Sequence, residues 1–192
     1  MIAARTLLPA EMELYRDHLL RLDAADRRLR FGTTISDEAI EAFVARISRW
    51  RTRIIARFNH RLEVIAAVQI SLSDGPLAEL AFSVDAAERG QGVATALMDR
   101  ALLWARNRGI LRVHAHCQAE NQPMRRLARR AGMAIDMGGG EAEGIPDLPA
   151  ATPLSMAREL WLEQAGLWDY AFKAGLRSAL PGPDAPHPHP QH

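Results

Sequence analysis

The chain has a single cysteine, Cys117, and a single lysine, Lys173, among its 192 residues. One cysteine excludes an internal disulfide, and this is typical of a reducing compartment, so we expect a cytoplasmic protein. The 24 basic and 23 acidic residues nearly cancel, and no basic block forms, which argues against a nucleic-acid-binding protein. No run of about 18 apolar residues occurs and no signal-like segment opens the chain, so no membrane association is expected.

A chain of this length, 48% hydrophobic, is sufficient for one substantial core and too short for two independent enzymatic domains. We expect one catalytic-sized domain over residues 1–150, an amphipathic helix over residues 153–180 and a disordered Pro/His tail over residues 181–192. His187 and His189 lack a third rigid ligand in that tail, so no metal site is predicted.

The hydrophobic periodicity changes along the chain between that of strands and that of helices. A strand over residues 2–7 and a helix come first, followed by a second helix over residues 33–50, which Ser36 caps. Three antiparallel strands follow, and then a β-α-β-α unit with helices over residues 93–108 and 121–130. This order predicts an α/β fold with a mixed, largely antiparallel central sheet flanked by helices.

The last helix carries large apolar residues at helical spacing, which gives it an apolar stripe. The stripe comprises Leu160, Trp161, Trp168, Phe172, Leu176 and Leu180. We expect this stripe to pack on its own domain, and the alternative is that it forms a homodimer interface with a second subunit.

A glycine turn joins a strand to a helix in the segment AELAFSVDAAERGQGVATALM. Gly90 and Gly92 permit backbone angles closed to other residues, and the free amides at a helix start form an anion site that suits phosphate. A nucleoside-triphosphate loop is excluded because no lysine stands here. A dinucleotide fingerprint fits less well, since Thr95 occupies its third small position and five residues separate the strand from the glycines.

The pattern Arg-x-x-Gly-x-Ala over residues 89–94 resembles the pyrophosphate-binding motif of the GNAT superfamily of acyl-CoA-dependent N-acetyltransferases. The block AENQPMRRLARRAGM resembles the motif that follows it in this superfamily, at the expected spacing. The segment HLLRLDAADRRLRFGTTISDEAI is similar to the acetyltransferase domain of the bacterial protein-lysine acetyltransferases called Pat. The resemblance implies a GNAT-like fold with acetyl-CoA as cosubstrate and a primary amine, on a protein lysine or a small molecule, as acceptor.

The resemblance also implies the residues that hold the donor. Backbone groups of Phe82, Ser83 and Val84 would pair with the pantetheine arm, and the Val84 amide would polarise the thioester carbonyl. Asn121 would cap a helix and contact the arm, with Met124 on the same helix face. The pyrophosphate would lie on the turn formed by Arg89, Gly90, Gln91, Gly92, Val93, Ala94 and Thr95.

Glu79 is the predicted general base, because AELAF matches the position at which several family members carry a glutamate base. A lysine-like amine, with a pKa of about 10.4, must lose a proton before it attacks the thioester. Apolar neighbours such as Leu77 and Ala81 are expected to raise the pKa of Glu79 towards the working range. The alternative is a surface glutamate that points to solvent.

The proton donor for the leaving thiolate is not evident, because Ala128 occupies the position at which many relatives carry a tyrosine. Water, Ser83, His116 and Cys117 are candidates that the sequence does not rank. The missing tyrosine and the extra helix also permit a second function, that of a catalytically weak or inactive CoA-binding sensor or oligomerisation protein.

Overall fold

The computed structural model describes residues 2–115, 120–133 and 148–179, and the backbone of residues 142–145. A six-stranded sheet has its strands in chain order, and every neighbouring pair is antiparallel except β4 with β5, which are parallel. The strands are β1 (Arg5–Thr6), β2 (Thr52–Phe58), β3 (Val64–Leu72), β4 (Leu77–Val84), β5 (Arg112–Ala115) and β6 (Ala142–Ile145). The mixed, largely antiparallel sheet expected from the sequence is confirmed.

Six α-helices accompany the sheet in the described part of the chain, and their starts follow the capping residues of the sequence. Ser36 and Asn121 cap two of them, since each side chain accepts a hydrogen bond from the amide three residues later. The helices are α1 (Met12–Leu20), α2 (Ala24–Phe31), α3 (Asp37–Ala45), α4 (Val93–Arg106), α5 (Gln122–Arg130) and α6 (Pro153–Ala179). No helix among the described residues combines the length and apolarity needed to cross a bilayer.

Two expected elements differ from the structure. The first strand is limited to Arg5–Thr6, because only these residues pair with β2. The helix expected to run to Trp50 ends at Ala45, and α2 is a separate short helix that Asp23 caps and Gly32 ends with a left-handed φ of 80°. The sequence pattern does not predict α2, because its segment AADRRLRF is rich in charge and has too few apolar residues to show a helical period.

The two faces of the sheet bury different kinds of side chain. On one face, Val68, Ile70 and Leu80 pack with α4 and α5 in an apolar core. On the other face, helices α1 and α3 cover a second apolar cluster that includes Tyr15 and Ile54. This second face also holds polar residues near β4, and these matter for the site below.

Helix α6 packs on the domain through the face opposite to the apolar stripe that the sequence predicts to be buried. Glu163 accepts hydrogen bonds from the Thr6 amide at 2.8 Å and from Arg100 at 2.5 Å, and Tyr170 lies edge-on to Phe58 at 4.8 Å. Gly166 touches the Ala4 carbonyl so closely that a Cβ at this position would overlap it. The close approach of α6 to β1 therefore depends on this glycine.

The expectation that the apolar stripe of α6 packs on its own domain is wrong. Its described members, Leu160, Trp161, Trp168, Phe172 and Leu176, are all exposed. Leu180 and the predicted disordered tail over residues 181–192 lie outside the described residues. The inner contacts are made instead by small, acidic and amphipathic residues, which a scan for apolar residues does not find.

Candidate functional site

Strands β4 and β5 pair only from Leu77 to Leu80, so β4 continues beyond its last described partner on that side. A cavity of about 510 Å³ opens where this pairing ends. Phe82, Ser83 and Val84 line it, and on their other side β3 pairs with β4 from Ala78 to Val84. No strand among the described residues pairs with this edge of Phe82 to Val84, and such an edge can accept an extended ligand by main-chain hydrogen bonds.

The glycine turn forms the next part of the wall. Gly90 and Gly92 have φ values of 76° and 79°, the left-handed region that favours glycine, and Gly92 is the N-cap of α4. No described side chain caps this helix, and the space beside Gly90 is open. The first amides of α4 therefore face a space that an anion such as pyrophosphate fits.

Arg89 is held by two neighbours. Its guanidinium lies 2.5 Å from Asp26 of α2 and donates hydrogen bonds to the Val84 carbonyl at 3.3 Å. Asp26 also lines the cavity, so this pair ties α2 to the turn. A bound phosphate would compete with Asp26 for the Arg89 guanidinium.

Glu79 stands in the same cavity wall as the glycine turn, at the other end of β4. It lies opposite Ser71 on β3 and beside His114 on β5, on the face of the sheet that α1 to α3 cover. Its side chain is exposed, and Leu77 and Ala81 lie two residues away on the same face of the strand. The open position leaves the carboxylate accessible to a substrate or to water.

A row of polar side chains runs along this face towards Glu79. Gln69 accepts hydrogen bonds from Tyr15 at 3.2 Å and from Arg30 at 2.8 Å, and donates one to Ser71 at 2.9 Å. Arg30 reaches the cavity wall, and its Nε has no hydrogen-bond partner within the described residues. The cavity wall carries charges of both signs, which are the cations Arg30, Arg89, Arg126 and Arg130 and the carboxylates Asp26, Glu79 and Glu88.

A second polar group links α1 to the far end of β4. His18 is fully buried, and its Nε2 forms a hydrogen bond of 2.8 Å with the hydroxyl of Ser83. Its Nδ1 lies 3.1 Å from an Asp85 carboxylate oxygen but makes no hydrogen bond within the described residues. Ser83 thus connects the cavity to a buried imidazole and a carboxylate.

The structure brings nearly all the predicted site residues to this one cavity. Its walls include Glu79, Phe82, Ser83, Val84, Arg89, Gly90, Gly92, Val93, Ala94, Thr95, Asn121 and Met124. Gln91 is the exception, since it lies outside the lining and its side chain donates to the Ala87 carbonyl. Asn121 is the N-cap of α5, as expected, and its carboxamide oxygen accepts from the Met124 amide at 3.1 Å.

Ala128 is fully buried in the apolar core, so nothing at that position can donate a proton. His116 and Cys117, the other candidates for that role, lie outside the described residues. Sequence reasoning missed His18, Asp26, Arg30 and Gln69, because each joins the site through contacts with residues distant in the chain. Only the tertiary fold brings them there.

Comparison with protein families gives one match, to the model described as the acetyltransferase (GNAT) family, over residues 17–133. This range contains β2 to β5, the glycine turn and all the cavity residues named above. No match is found among the curated proteins.

Solved structures share the fold at low sequence identity. The GNAT domain of S. lividans PAT is 23% identical, with a TM-score of 0.62 over 76% of this chain and 89% of that one. A phosphinothricin acetyltransferase from Sinorhizobium meliloti, in complex with AcCoA, is 18% identical, with a TM-score of 0.56 over 79% and 91%. Spermidine N-acetyltransferase from Vibrio cholerae, with CoA and spermine, is 16% identical, with a TM-score of 0.55 over 74% and 90%.

Proposed function

Because the chain belongs to the acetyltransferase (GNAT) family, we propose that it transfers an acetyl group from acetyl-CoA to a primary amine by direct attack in a ternary complex. The observation that carries the proposal is a single cavity with the glycine turn at one end and Glu79 at the other. Family membership supports acetyl transfer to an amine in general, and the roles below are the finer part of the proposal.

Donor binding is assigned to β4 and to the start of α4. The amides that follow Gly92 would hold the pyrophosphate with the helix dipole, and Phe82 to Val84 would pair with the pantetheine arm. Asn121 and Met124 complete the wall from α5. Acetyl-CoA would supply the activated acyl carbon, and the Val84 amide would polarise its carbonyl.

Glu79 is assigned the role of general base. An acceptor amine arrives protonated at neutral pH, since its pKa is about 10.4, and must give up that proton to attack. The exposed Glu79 carboxylate takes the proton directly or through a water molecule. The C–N bond then forms at the acyl carbon, the C–S bond breaks, and the sulfur leaves as a thiolate.

We assign Ser83 as the residue whose hydroxyl protonates the leaving thiolate, because Ala128 occupies the position at which many relatives carry a tyrosine. It lines the cavity next to Val84 and is hydrogen-bonded to the buried His18. Transfer of the hydroxyl proton to sulfur would be balanced by a proton from His18 Nε2. The Asp85 carboxylate lies 3.1 Å from His18 Nδ1, on the other side of the imidazole ring.

The test is thiol release from acetyl-CoA with a panel of acceptors. The panel pairs lysine peptides and polyamines with amines that carry a carboxylate, because the cavity wall presents both carboxylates and arginines, Arg30 among them. We expect turnover well above hydrolysis with at least one class. Tight CoA binding with no turnover for any acceptor would support the alternative function, a CoA-binding sensor or oligomerisation protein.

A further inference from the structure

The outer surface of α6 is an apolar stripe that nothing in the described chain covers. Trp161, Trp168 and Phe172 are 55%, 74% and 68% exposed, and Leu154 and Leu176 lie exposed on the same side of the helix. These five side chains, called the outer stripe below, stand opposite the inner face through which Glu163 and Tyr170 meet the domain. An exposed apolar patch of this extent marks an interaction surface.

We propose that the outer stripe is the interface of a homodimer in which two α6 helices pack antiparallel around a twofold axis. The axis crosses the helix at Gly166–Leu167, near the middle of the 27-residue helix. The proposal concerns assembly and does not depend on the catalytic roles assigned above.

The pattern of large and small residues in α6 is complementary to itself in this register. Trp168 stands opposite Ala165 of the second copy, and Leu176 stands opposite Ala157. Trp161 meets Phe172 on either side of the axis, and aromatic pairs of this kind favour edge-to-face or offset packing. Large side chains thus meet small ones or each other's ring edges, as ridges into grooves require.

Charge on the helix surface agrees with the same arrangement. The only charged residue within the arc of the outer stripe is Arg158, and it stands opposite Gly175 of the second copy, where there is room for its side chain. Asp169 flanks the stripe and is already paired with Lys173 at 2.5 Å. No like charges are therefore brought together across the axis.

The exposed area is close to what a dimer of ordinary stability requires. Three aromatic side chains that each cover roughly 150–250 Å² when fully buried, together with two leucines, bring the coverable area to the order of 700 Å² per copy. A standard interface buries about 800 Å² per partner. The outer stripe therefore suffices for most of such an interface.

Other occupants fit the surface less well. Beyond Leu180 the sequence PGPDAPHPHPQH contains no aromatic or branched aliphatic residue with which to cover the stripe. A helix that lies on an anionic membrane carries rows of Lys and Arg beside its apolar face. Here the polar face of α6 is turned onto the domain, and few basic residues flank the stripe.

The first test measures the mass of the full chain by light scattering and sedimentation over a series of concentrations. We expect twice the mass of the 21.3 kDa chain, and Trp168→Glu to raise the dimer dissociation constant about 100-fold. Trp50→Glu is the matched control, since Trp50 is 93% exposed on the loop before β2 and should leave the dimer intact. A monomer at every concentration, or a dimer that Trp168→Glu does not weaken, would overturn the proposal.

The second test examines the antiparallel register. A157E and L176R alone should each weaken the dimer, whereas the double variant should restore it, because the two new charges face each other twice across the axis. Failure of the double variant to restore a dimer that both single variants break would overturn this register. A wild-type chain that stays monomeric and cosediments with phosphatidylcholine–phosphatidylserine vesicles would replace the second copy by a lipid surface.

Discussion

The two sides of strand β4 differ in what they contact and in how far along the chain their partners lie. Ala78 and Leu80 point into the apolar core beneath α4, together with Phe82. Glu79 and Ser83 point to the other side, where residues of α1, α2 and β3 supply polar partners. One side is uniform packing, and the other is a row of hydrogen bonds that ends in a cavity.

This difference shows how one strand serves both stability and chemistry. The apolar side holds β4 rigidly against α4, which fixes the glycine turn relative to the strand. Burial of polar groups on the other side costs desolvation free energy. Hydrogen bonds between His18 and Ser83 and between Arg30 and Gln69 offset this cost. Substitutions on the two sides should therefore change different measured quantities.

Glu79→Gln should have the largest effect, because it removes the proposed base from the polar side and leaves the shape of the side chain unchanged. We expect kcat/KM for the amine to fall about 100-fold or more, within the usual range for general-base catalysis. CoA affinity, measured by calorimetry, should be unchanged, since Glu79 lies at the end of β4 away from the glycine turn.

Glu41→Gln, on the exposed surface of α3, is the control and should keep full turnover. If Glu79→Gln turns over as fast as the parent across the pH range, then Glu79 is a surface residue and another group takes the amine proton.

Gly92→Ala should weaken donor binding and leave the polar side intact. The φ of 79° costs an alanine about 1–2 kcal/mol, and relief of this strain would turn the first amides of α4 away from the pyrophosphate. We expect the CoA dissociation constant to rise about 5- to 30-fold, measured by calorimetry.

Gly75→Ala is the matched control, because Gly75 has a φ of 82° in an exposed turn between β3 and β4 and a Cβ added there would meet no atom within 4 Å. Both variants should lose similar stability, and only the first should lose CoA affinity. Equal CoA affinity in the two would mean that the glycine turn does not hold phosphate.

These two substitutions also separate what the sequence predicts from what it does not. The glycine turn, Glu79 and Asn121 lie in two short segments whose spacing is visible in the sequence, and the fold brings them to one cavity. His18, Arg30 and Gln69 come from α1, α2 and β3, and no local pattern marks them, because their partners are tertiary. The sequence does not predict which face of α6 contacts the domain, because Gly166 and Glu163, which fix this inner face, are not apolar.

Ser83→Ala should have a moderate effect on the polar side. It removes the hydroxyl that we assign to the thiolate and leaves His18 Nε2 buried without its partner. We expect a fall in kcat of about tenfold, and a loss of stability of about 1–3 kcal/mol from the unpaired imidazole. Chemical denaturation and steady-state rates over a pH series would measure the two separately.

Ser83→Thr keeps the hydroxyl on a residue that strands favour, and it should recover most of the rate and stability. A Ser83→Ala variant that loses stability yet keeps the parent kcat and its pH profile would limit Ser83 and His18 to a structural role.

Glu11→Gln should have the smallest effect, and it tests whether a half-buried charge just before α1, far from the cavity, serves stability alone. Burial by itself would raise the pKa of Glu11, but hydrogen bonds from Arg5, at 2.7 Å, and from the Leu8 amide outweigh it and hold the pKa below its ordinary value. A carboxyl whose pKa is lowered by folding stabilises the protein above the pKa of the unfolded chain, about 4.3, and this stabilisation is lost as the pH falls through the folded pKa.

Glu11→Gln should therefore lower the free energy of unfolding by about 1–2 kcal/mol at neutral pH and by less in acid, with turnover unchanged. Urea unfolding at both pH values measures this, with the exposed Glu13→Gln as control. If the difference in the free energy of unfolding between the parent and Glu11→Gln stays constant from neutral pH into acid, then the interaction with Arg5 does not depend on the charge of Glu11.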